Sequence, residues 1–230
     1  MTESFMAPLL ISLKTVLATT VITFFLGISA ARWMARYTGK FRNFIDGLFI
    51  LPVVLPPTVV GFGLLVLFGK NGPLGALLNV FNTSIVFSWP ATVVAAVIMS
   101  FPLMYMTSRG GFEQVDINIE NAARTLGASE WRIFWTVTMP LAWPAIVSGT
   151  ILAFARALGE FGATLMLAGN IPGKTATIPV AIYFNIQAGH MDQALSLVLI
   201  VLVISFASLT ALAYWKGKTK RTTIIAPETL

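Results

Sequence analysis

Side chains that exchange protons, attack electrophiles or hold metals are scarce in this chain. Among 230 residues there are nine Asp and Glu, one His and no Cys. No thiolate nucleophile, disulfide framework or Cys-ligated metal can be built from that set. One His with nine carboxylates argues against a rich catalytic constellation. His190 and Asp192 are close enough in sequence to share a ligand, but they read first as a solvated loop and second as a contact for a soluble partner. Gly169-Asn170-Ile171-Pro172-Gly173-Lys174-Thr175 imitates a phosphate-binding loop. Such a loop needs four residues between its glycines, so that the backbone N–H groups curl around phosphate. Here there are three, with Ala168 where the first glycine should stand, so nucleotide binding by this chain is not expected. Arg156 and Glu160 are four residues apart, share a helix face and can pair. Ionisable groups in apolar segments usually face a bundle interior or a pathway. The pair therefore reads as a structural brace near a gate or as a direct contact for an anion. Pro56 and Pro57, with Pro52 before them, read as a packing kink or as a hinge or constriction.

These residues must be positioned by membrane helices. The chain is 57% apolar and 10% charged, against roughly 45–50% and about 25% in soluble domains. That excludes an ordinary soluble domain and a disordered chain. The net charge of +6 is not a basic stripe on a polar surface, so a nucleic-acid partner is not expected. A bilayer core needs about 20 largely apolar residues per helix. Five spans answer to this, near Pro8–Ala31, within Gly47–Gly69, near Trp89–Ser108, within Met139–Ala155 and at Gln193–Trp215. A short interfacial stretch is expected near 73–82. The apolar runs Phe161–Ile171 and Ala176–Gln187 are below span length and read as re-entrant or interfacial. Counting about 1.5 Å per residue from Pro140 places Arg156 roughly 24 Å along the fourth span, near its outer boundary.

Lys and Arg accumulate on the cytoplasmic side of membrane proteins. Arg32, Arg36, Lys40 and Arg42 follow the first span; Arg109, Arg124 and Arg132 follow the third; Lys216, Lys218, Lys220 and Arg221 follow the fifth. Eleven of the 15 basic residues thus mark one face, with the N-terminus outside and the C-terminus cytoplasmic. Trp33, Trp143 and Trp215 fall near that face and Trp89 near the other, as an aromatic belt would. The first seven residues lack a basic region and the apolar run is long, so the first span is expected to be retained rather than cleaved.

The longest cytoplasmic loop, about 110–138, has structure of its own. Asp116–Leu126 has helix-compatible composition, Gly127 interrupts it, Ser129 can cap a helix, and Glu130–Val137 carries Trp131, Phe134 and Trp135 at helical spacing. The spacing predicts helix, glycine turn, helix. It reads either as an amphipathic interfacial hairpin or as a rigid docking element for a cytoplasmic partner.

The run Asn121-Ala122-Ala123-Arg124-Thr125-Leu126-Gly127, then nine residues, then Val137-Thr138-Met139-Pro140, resembles the EAA signature of ABC importer permeases. Asn121 stands where the family has Glu, and Glu120 lies one residue earlier. The resemblance therefore carries the glutamate's role to Glu120. Phe154–Thr164 looks like the molybdate and sulfate branch. Asn170–Thr175 with Thr177-Ile178-Pro179, and Leu51-Pro52 with Leu55-Pro56-Pro57, look like its molybdate members. The resemblance implies an all-α, five-span permease of the type I ABC importer fold, a single domain over 1–230, in a bacterial or archaeal plasma membrane. It implies a coupling loop built on Glu120, Asn121, Ala122, Ala123, Gly127, Val137 and Pro140. The implied partners are a second copy of the chain, two ATPase subunits, an extracytoplasmic molybdate-binding protein and the bilayer. The chain itself would be no enzyme and hold no cofactor or metal, ATP and Mg²⁺ being used by the ATPase. Sulfate, thiosulfate or tungstate permeases are the near alternatives. A stand-alone secondary anion transporter is the distant one; it would need inverted repeats, and none pairs the two halves.

Overall fold

A chain this poor in charge must satisfy its backbone within its own segments, and helices do so where water is absent. The computed structural model describes the backbone of residues 2–223 and the side chains of residues 6–210, Ala213 and Tyr214. Trp215 and the basic cluster at Lys216, Lys218, Lys220 and Arg221 lie outside the described side chains. The chain runs through α1 (Thr2–Arg36), α2 (Arg42–Val54), α3 (Pro57–Phe68), α4 (Pro73–Val80), α5 (Trp89–Glu113), α6 (Ile117–Thr125) and α7 (Glu130–Ile133). A π-helical turn (Phe134–Thr138) leads into α8 (Met139–Leu158), followed by α9 (Gly162–Ala168), α10 (Ile178–Gln187) and α11 (Met191–Thr223).

Met6–Arg36, Trp89–Glu113, Glu130–Leu158 and Met191–Thr210 are each long and apolar enough to cross a bilayer. The pair α2 and α3 makes a fifth crossing if its two bent halves count as one. That pair is the main departure from expectation. In place of one kinked helix within Gly47–Gly69, the chain turns through 113°. The cause is local. A residue before proline is pushed out of the helical region, and Leu55 precedes Pro56 while Pro56 precedes Pro57. Both are extended, at φ −76°, ψ 144° and φ −55°, ψ 136°. Pro57 then starts α3, where its missing N–H costs nothing. Two consecutive restrictions make a corner where one makes a kink.

Helix α5 is the axis of the bundle, packed between α1 and α8 and touched by α2 and α9. Its buried positions divide between small residues, Ala91, Thr92, Ala95, Ala96, Ser100 and Ser108 among them, and large ones such as Met99, Met104, Tyr105 and Phe112. Lipid tails are as apolar as leucine, so helices associate in membranes through close packing and hydroxyl hydrogen bonds. Accordingly Thr15 Oγ1 lies 2.9 Å from Thr92 Oγ1 and accepts from Trp89 Nε1 at 3.0 Å, while Thr23 meets Ser100 at 3.3 Å. Lys14, the charge inside the first span, sits 4.2 Å above the Trp89 ring. On α11, large apolar side chains point outward, Leu199, Leu202, Val203 and Phe206 among them.

The two short apolar runs are α9 and α10. Ser12 Oγ accepts the Ile178 N–H at 2.7 Å, fastening the start of α10 to α1. Helix α9 lies against α3 at a contact only glycine allows. A Cβ on Gly61 would stand 2.7 Å from Ala163 Cα and 2.8 Å from Met166 Cβ. Overpacking of this kind costs about 1–3 kcal/mol. Gly61→Ala is therefore expected to lower thermal stability in lipid or detergent, although alanine favours helix. Gly63→Ala, where an added Cβ meets nothing within 4 Å, serves as control and should not.

Candidate functional site

The hairpin between α5 and α8 forms as its sequence dictates. Asp116 caps α6 by accepting the Asn118 N–H at 2.8 Å, and Ser129 caps α7 by accepting the Arg132 N–H at 3.4 Å. Between them Gly127 adopts φ +78°, a left-handed conformation that penalises residues with a Cβ. Its N–H donates to Arg124 O at 2.9 Å, and that of Ala128 to Ala123 O at 3.1 Å. This double closure satisfies the last carbonyls of α6 and reverses the chain.

The structure modifies the expected loop at both ends. Helix α1 runs on through Arg32 to Arg36, and α5 runs on through Arg109 to Glu113. The second hairpin helix is the start of the fourth span, since Glu130–Leu158 is continuous. Its π turn includes the bond from Met139 N–H to Phe134 O, placed just before Pro140, which has no N–H to give.

Glu120 is the centre of the hairpin's base. It is only 4% exposed. Its Oε1 accepts from Thr138 Oγ1 at 2.6 Å and faces Arg32 Nη1 at 3.6 Å. Its Oε2 accepts from Arg36 Nη2 at 2.8 Å and Arg124 Nη2 at 3.4 Å. Glu130 adds a second carboxylate, accepting from Arg36 at 3.0 Å and Arg124 at 2.5 Å. One carboxylate thus ties α6 to the end of α1 and to the π turn. Burial pushes the Glu120 carboxyl up, but the Thr138 hydroxyl and the Arg36 guanidinium outweigh it and hold it below the usual carboxylate value. Glu130 raises the Arg124 guanidinium in turn.

The remaining loop residues are distributed around this anchor. Asn121 is exposed and accepts from Arg124 Nη1 at 2.6 Å. Ala122 is exposed, Ala123 half-buried, Val137 half-buried within the π turn, and Pro140 exposed. Two large apolar side chains stand exposed at the tip of the hairpin, Leu126 at 88% and Trp131 at 72%, among exposed polar residues such as Asn121, Thr125, Glu130 and Arg132.

A second charged group stands beside it. Tyr105 Oη donates to Asp46 Oδ1 at 2.6 Å, and Arg109 Nη1 pairs with the same oxygen. Glu113 Oε1 accepts from Arg109 Nε at 2.8 Å and Arg42 Nη2 at 2.9 Å. Sequence reasoning missed both sets of partners, because each joins residues about 60–90 positions apart. The available signal was scarcity: with nine carboxylates in the chain, each one near a helix end needs a cation.

Toward the far end of α8, Arg156 Nη1 meets Glu160 Oε2 at 2.7 Å. Glu160 is buried and its Oε1 accepts the Ala163 N–H at 2.9 Å, so it also closes the first turn of α9. The α2–α3 corner lies against the same turn. A Cβ on Gly162 would stand 2.9 Å from Pro57 Cβ. Pro57, the corner at Pro56, and the Arg156–Glu160 pair are thus one neighbourhood, nearly the length of α8 away from the Glu120 cluster. Gly162 is there for close approach, as its size suggests. An added Cβ on Gly159 would meet only Ala155 O, at 3.9 Å.

Apolar helices around a central helix, with a charged hairpin at one end and an ion pair toward the other, define a membrane transport subunit. Its fold is similar to that of a chain in the crystal structure of a bacterial alginate ABC transporter in complex with an alginate pentasaccharide-bound periplasmic protein. The TM-score is 0.75 at 16% identity, covering 96% of this chain and 80% of that one. The likeness is one of fold, that of type I ABC importer permeases. Residues 23–216 match the binding-protein-dependent transport system inner membrane component, and the chain belongs to that family. It is a multi-pass protein of the plasma membrane. Among relatives, it is 44% identical over 214 residues to the molybdenum transport system permease protein ModB of Escherichia coli, covering 92% of this chain and 93% of that protein. It is 44% identical over 195 residues to ModB of Haemophilus influenzae, covering 84% and 85%.

The sign of the Glu120 shift fixes a pH dependence. The folded carboxyl titrates below its unfolded value of about 4.3. Its stabilisation is therefore complete at neutral pH and is lost as the pH falls through the lowered value. Losing this charge-assisted network costs roughly 1.5–3 kcal/mol. Intrinsic-rate-corrected hydrogen exchange in residues 117–125 should be flat from neutral pH to about 5 and rise in stronger acid. In Glu120→Gln it should be raised about tenfold or more already at neutral pH, the equivalent of about 1.4 kcal/mol.

Proposed function

We propose that this chain is the permease of an ATP-driven importer that passes molybdate across the plasma membrane of a bacterium or archaeon. The observation that carries the reading is the hairpin, rigidly held at its base by Glu120 and apolar at its tip. An exposed apolar surface on a fixed element fits a partner interface better than it fits water. The partner is an ATPase subunit, which also supplies the nucleotide site and Mg²⁺; this chain needs no cofactor. The cargo reading is supported by the molybdenum transport permeases to which the chain is 44% identical over most of its length.

The N-terminus lies outside and the C-terminus in the cytoplasm. Supporting this, Arg32, Arg36, Arg42, Arg109, Arg124 and Arg132 gather at the hairpin end. Two copies form the pathway between them, two ATPases hold their hairpins, and a molybdate-binding protein delivers cargo from outside. Glu120, Asn121, Ala122, Ala123, Gly127, Val137 and Pro140 make up the coupling loop. When the ATPases close, the hairpin moves as one piece, and the Glu120 ties pass the motion to α1 and to the fourth span. The result is a population shift between outward-open and inward-open states. At the other end, Arg156, Glu160, Pro56 and Pro57 brace the region where α3 and α9 meet beside the pathway.

Gly127→Pro tests coupling. Proline holds φ near −65° and removes the N–H that closes α6. In the reconstituted complex the variant should keep its helical content and ATP hydrolysis but lose most molybdate uptake. Normal uptake would refute the coupling role. Competition among molybdate, tungstate and sulfate in the same vesicles tests the cargo; sulfate competing as well as molybdate would move the assignment.

A further inference from the structure

A cleft of about 560 Å³ opens between the ends of α1, α2 and α5 and the start of α6. Four guanidiniums line it, Arg32, Arg36, Arg42 and Arg109, against two carboxylates, Glu113 and Glu120. Asp46 and Glu130 reach Arg109 and Arg36 from outside the lining and Arg124 shares Glu120 and Glu130, so five cations meet four carboxylates. The surplus is not evenly spread. Arg36 and Arg109 each bridge two carboxylates. Arg42 has one, which it shares with Arg109. Arg32 reaches only Glu120, at 3.6 Å, and its guanidinium otherwise lies over the Phe134 and Phe112 rings at 5.2 and 5.8 Å. Its side chain is 18% exposed. A positive group that is largely out of water, with an incomplete counter-charge and an open cleft before it, favours an anion in that cleft. Guanidinium forks suit the paired oxygens of a tetrahedral oxyanion.

The rim speaks to what carries the anion. Arg42 and Asn43 are flanked in sequence by Phe41 and Phe44, which are 67% and 72% exposed. Beyond them α2 has no buried residue and presents Leu48, Leu51 and Val54 outward. A charged cleft that meets a continuous apolar helix face at the end of a membrane span matches an amphiphile with a phosphate head.

We propose that this cleft binds a tetrahedral phosphate-type oxyanion, of the kind an anionic phospholipid presents at the membrane surface. Glu120 of the proposed coupling loop also lines this cleft, whereas Arg42 and Asn43, the two positions varied below, do not belong to that loop.

The full chain would be purified and its lipid retention measured by native mass spectrometry from mixed phosphatidylglycerol and phosphatidylcholine micelles. A parallel arm would follow thermal stability in lipid-free detergent with inorganic phosphate alone. Wild type should retain phosphatidylglycerol preferentially. Arg42→Gln, which removes a cation, and Asn43→Asp, which adds a carboxylate at an exposed position, should both lose that preference while keeping their helical content. Arg132→Gln, an exposed arginine outside the cleft, should keep it. Stabilisation by inorganic phosphate that the two cleft variants abolish would equally support the site, with a free oxyanion as its source. The proposal is overturned if wild type shows neither effect, or if Arg132→Gln loses as much as the cleft variants do.

Discussion

One buried carboxylate holds the hairpin to the transmembrane bundle. Glu120 receives hydrogen bonds from α1, from its own helix and from the π turn that opens the fourth span. Charges taken out of water are tolerated only when their partners compensate them closely, so each of these groups is committed to the others. Removing Glu120 would leave the partly buried Arg32 without its carboxylate, whereas Glu120 itself keeps a cation if any single arginine is lost. The hairpin is fixed in place by this network together with buried Ile133 and the packing of Phe134 at its base, which leaves Leu126 and Trp131 at the tip free for another surface. A docking element held by its own greasy face could not also present it.

The bundle itself runs on a different economy. Around α5, helices approach through alanine, serine and threonine, with hydroxyl pairs such as Thr15–Thr92 supplying the few directional contacts. Large residues serve both sides: Met34, Met104, Tyr105 and Ile146 fill the core, while those on α11 are turned outward. The α3–α9 contact at Gly61 and Gly162 extends the same principle to the short helix α9. It places the α2–α3 corner beside the Arg156–Glu160 pair.

What the sequence made legible was what depends on near neighbours. Composition yields the class, since so few charges cannot cover a soluble surface. Hydropathy yields the long helices, Gly127 the reversal and Ser129 a cap, while Asp116, the first residue of the run with helical composition, caps that helix rather than joining it. Arg156 and Glu160 do pair, but Glu160 lies past the end of α8 and not on the shared helix face that their spacing suggests. The corner at Leu55-Pro56-Pro57 was visible as a proline cluster, but its size was not: two adjacent extended residues turn the chain far more than one missing hydrogen bond does. The reach of Arg32 and Arg36 to Glu120 was illegible, because it depends on how α1 and the hairpin meet in space. The continuity of the second hairpin helix with the fourth span was hidden for another reason. Proline at 140 signals a start, and a π turn immediately before it removes the need for one.

That π turn has a geometric consequence of its own. It holds one residue more than an α-helical turn, a surplus stored where the charged end of the protein meets the membrane. A helix advances about 1.5 Å and turns about 100° per residue. Were the surplus handed along the helix, each residue it passed would slide and swivel by that amount while both flanking segments kept their places. The segment from Phe134 to Thr138 is in effect a dislocation in an otherwise regular rod, and it is there that Thr138 is turned to meet Glu120.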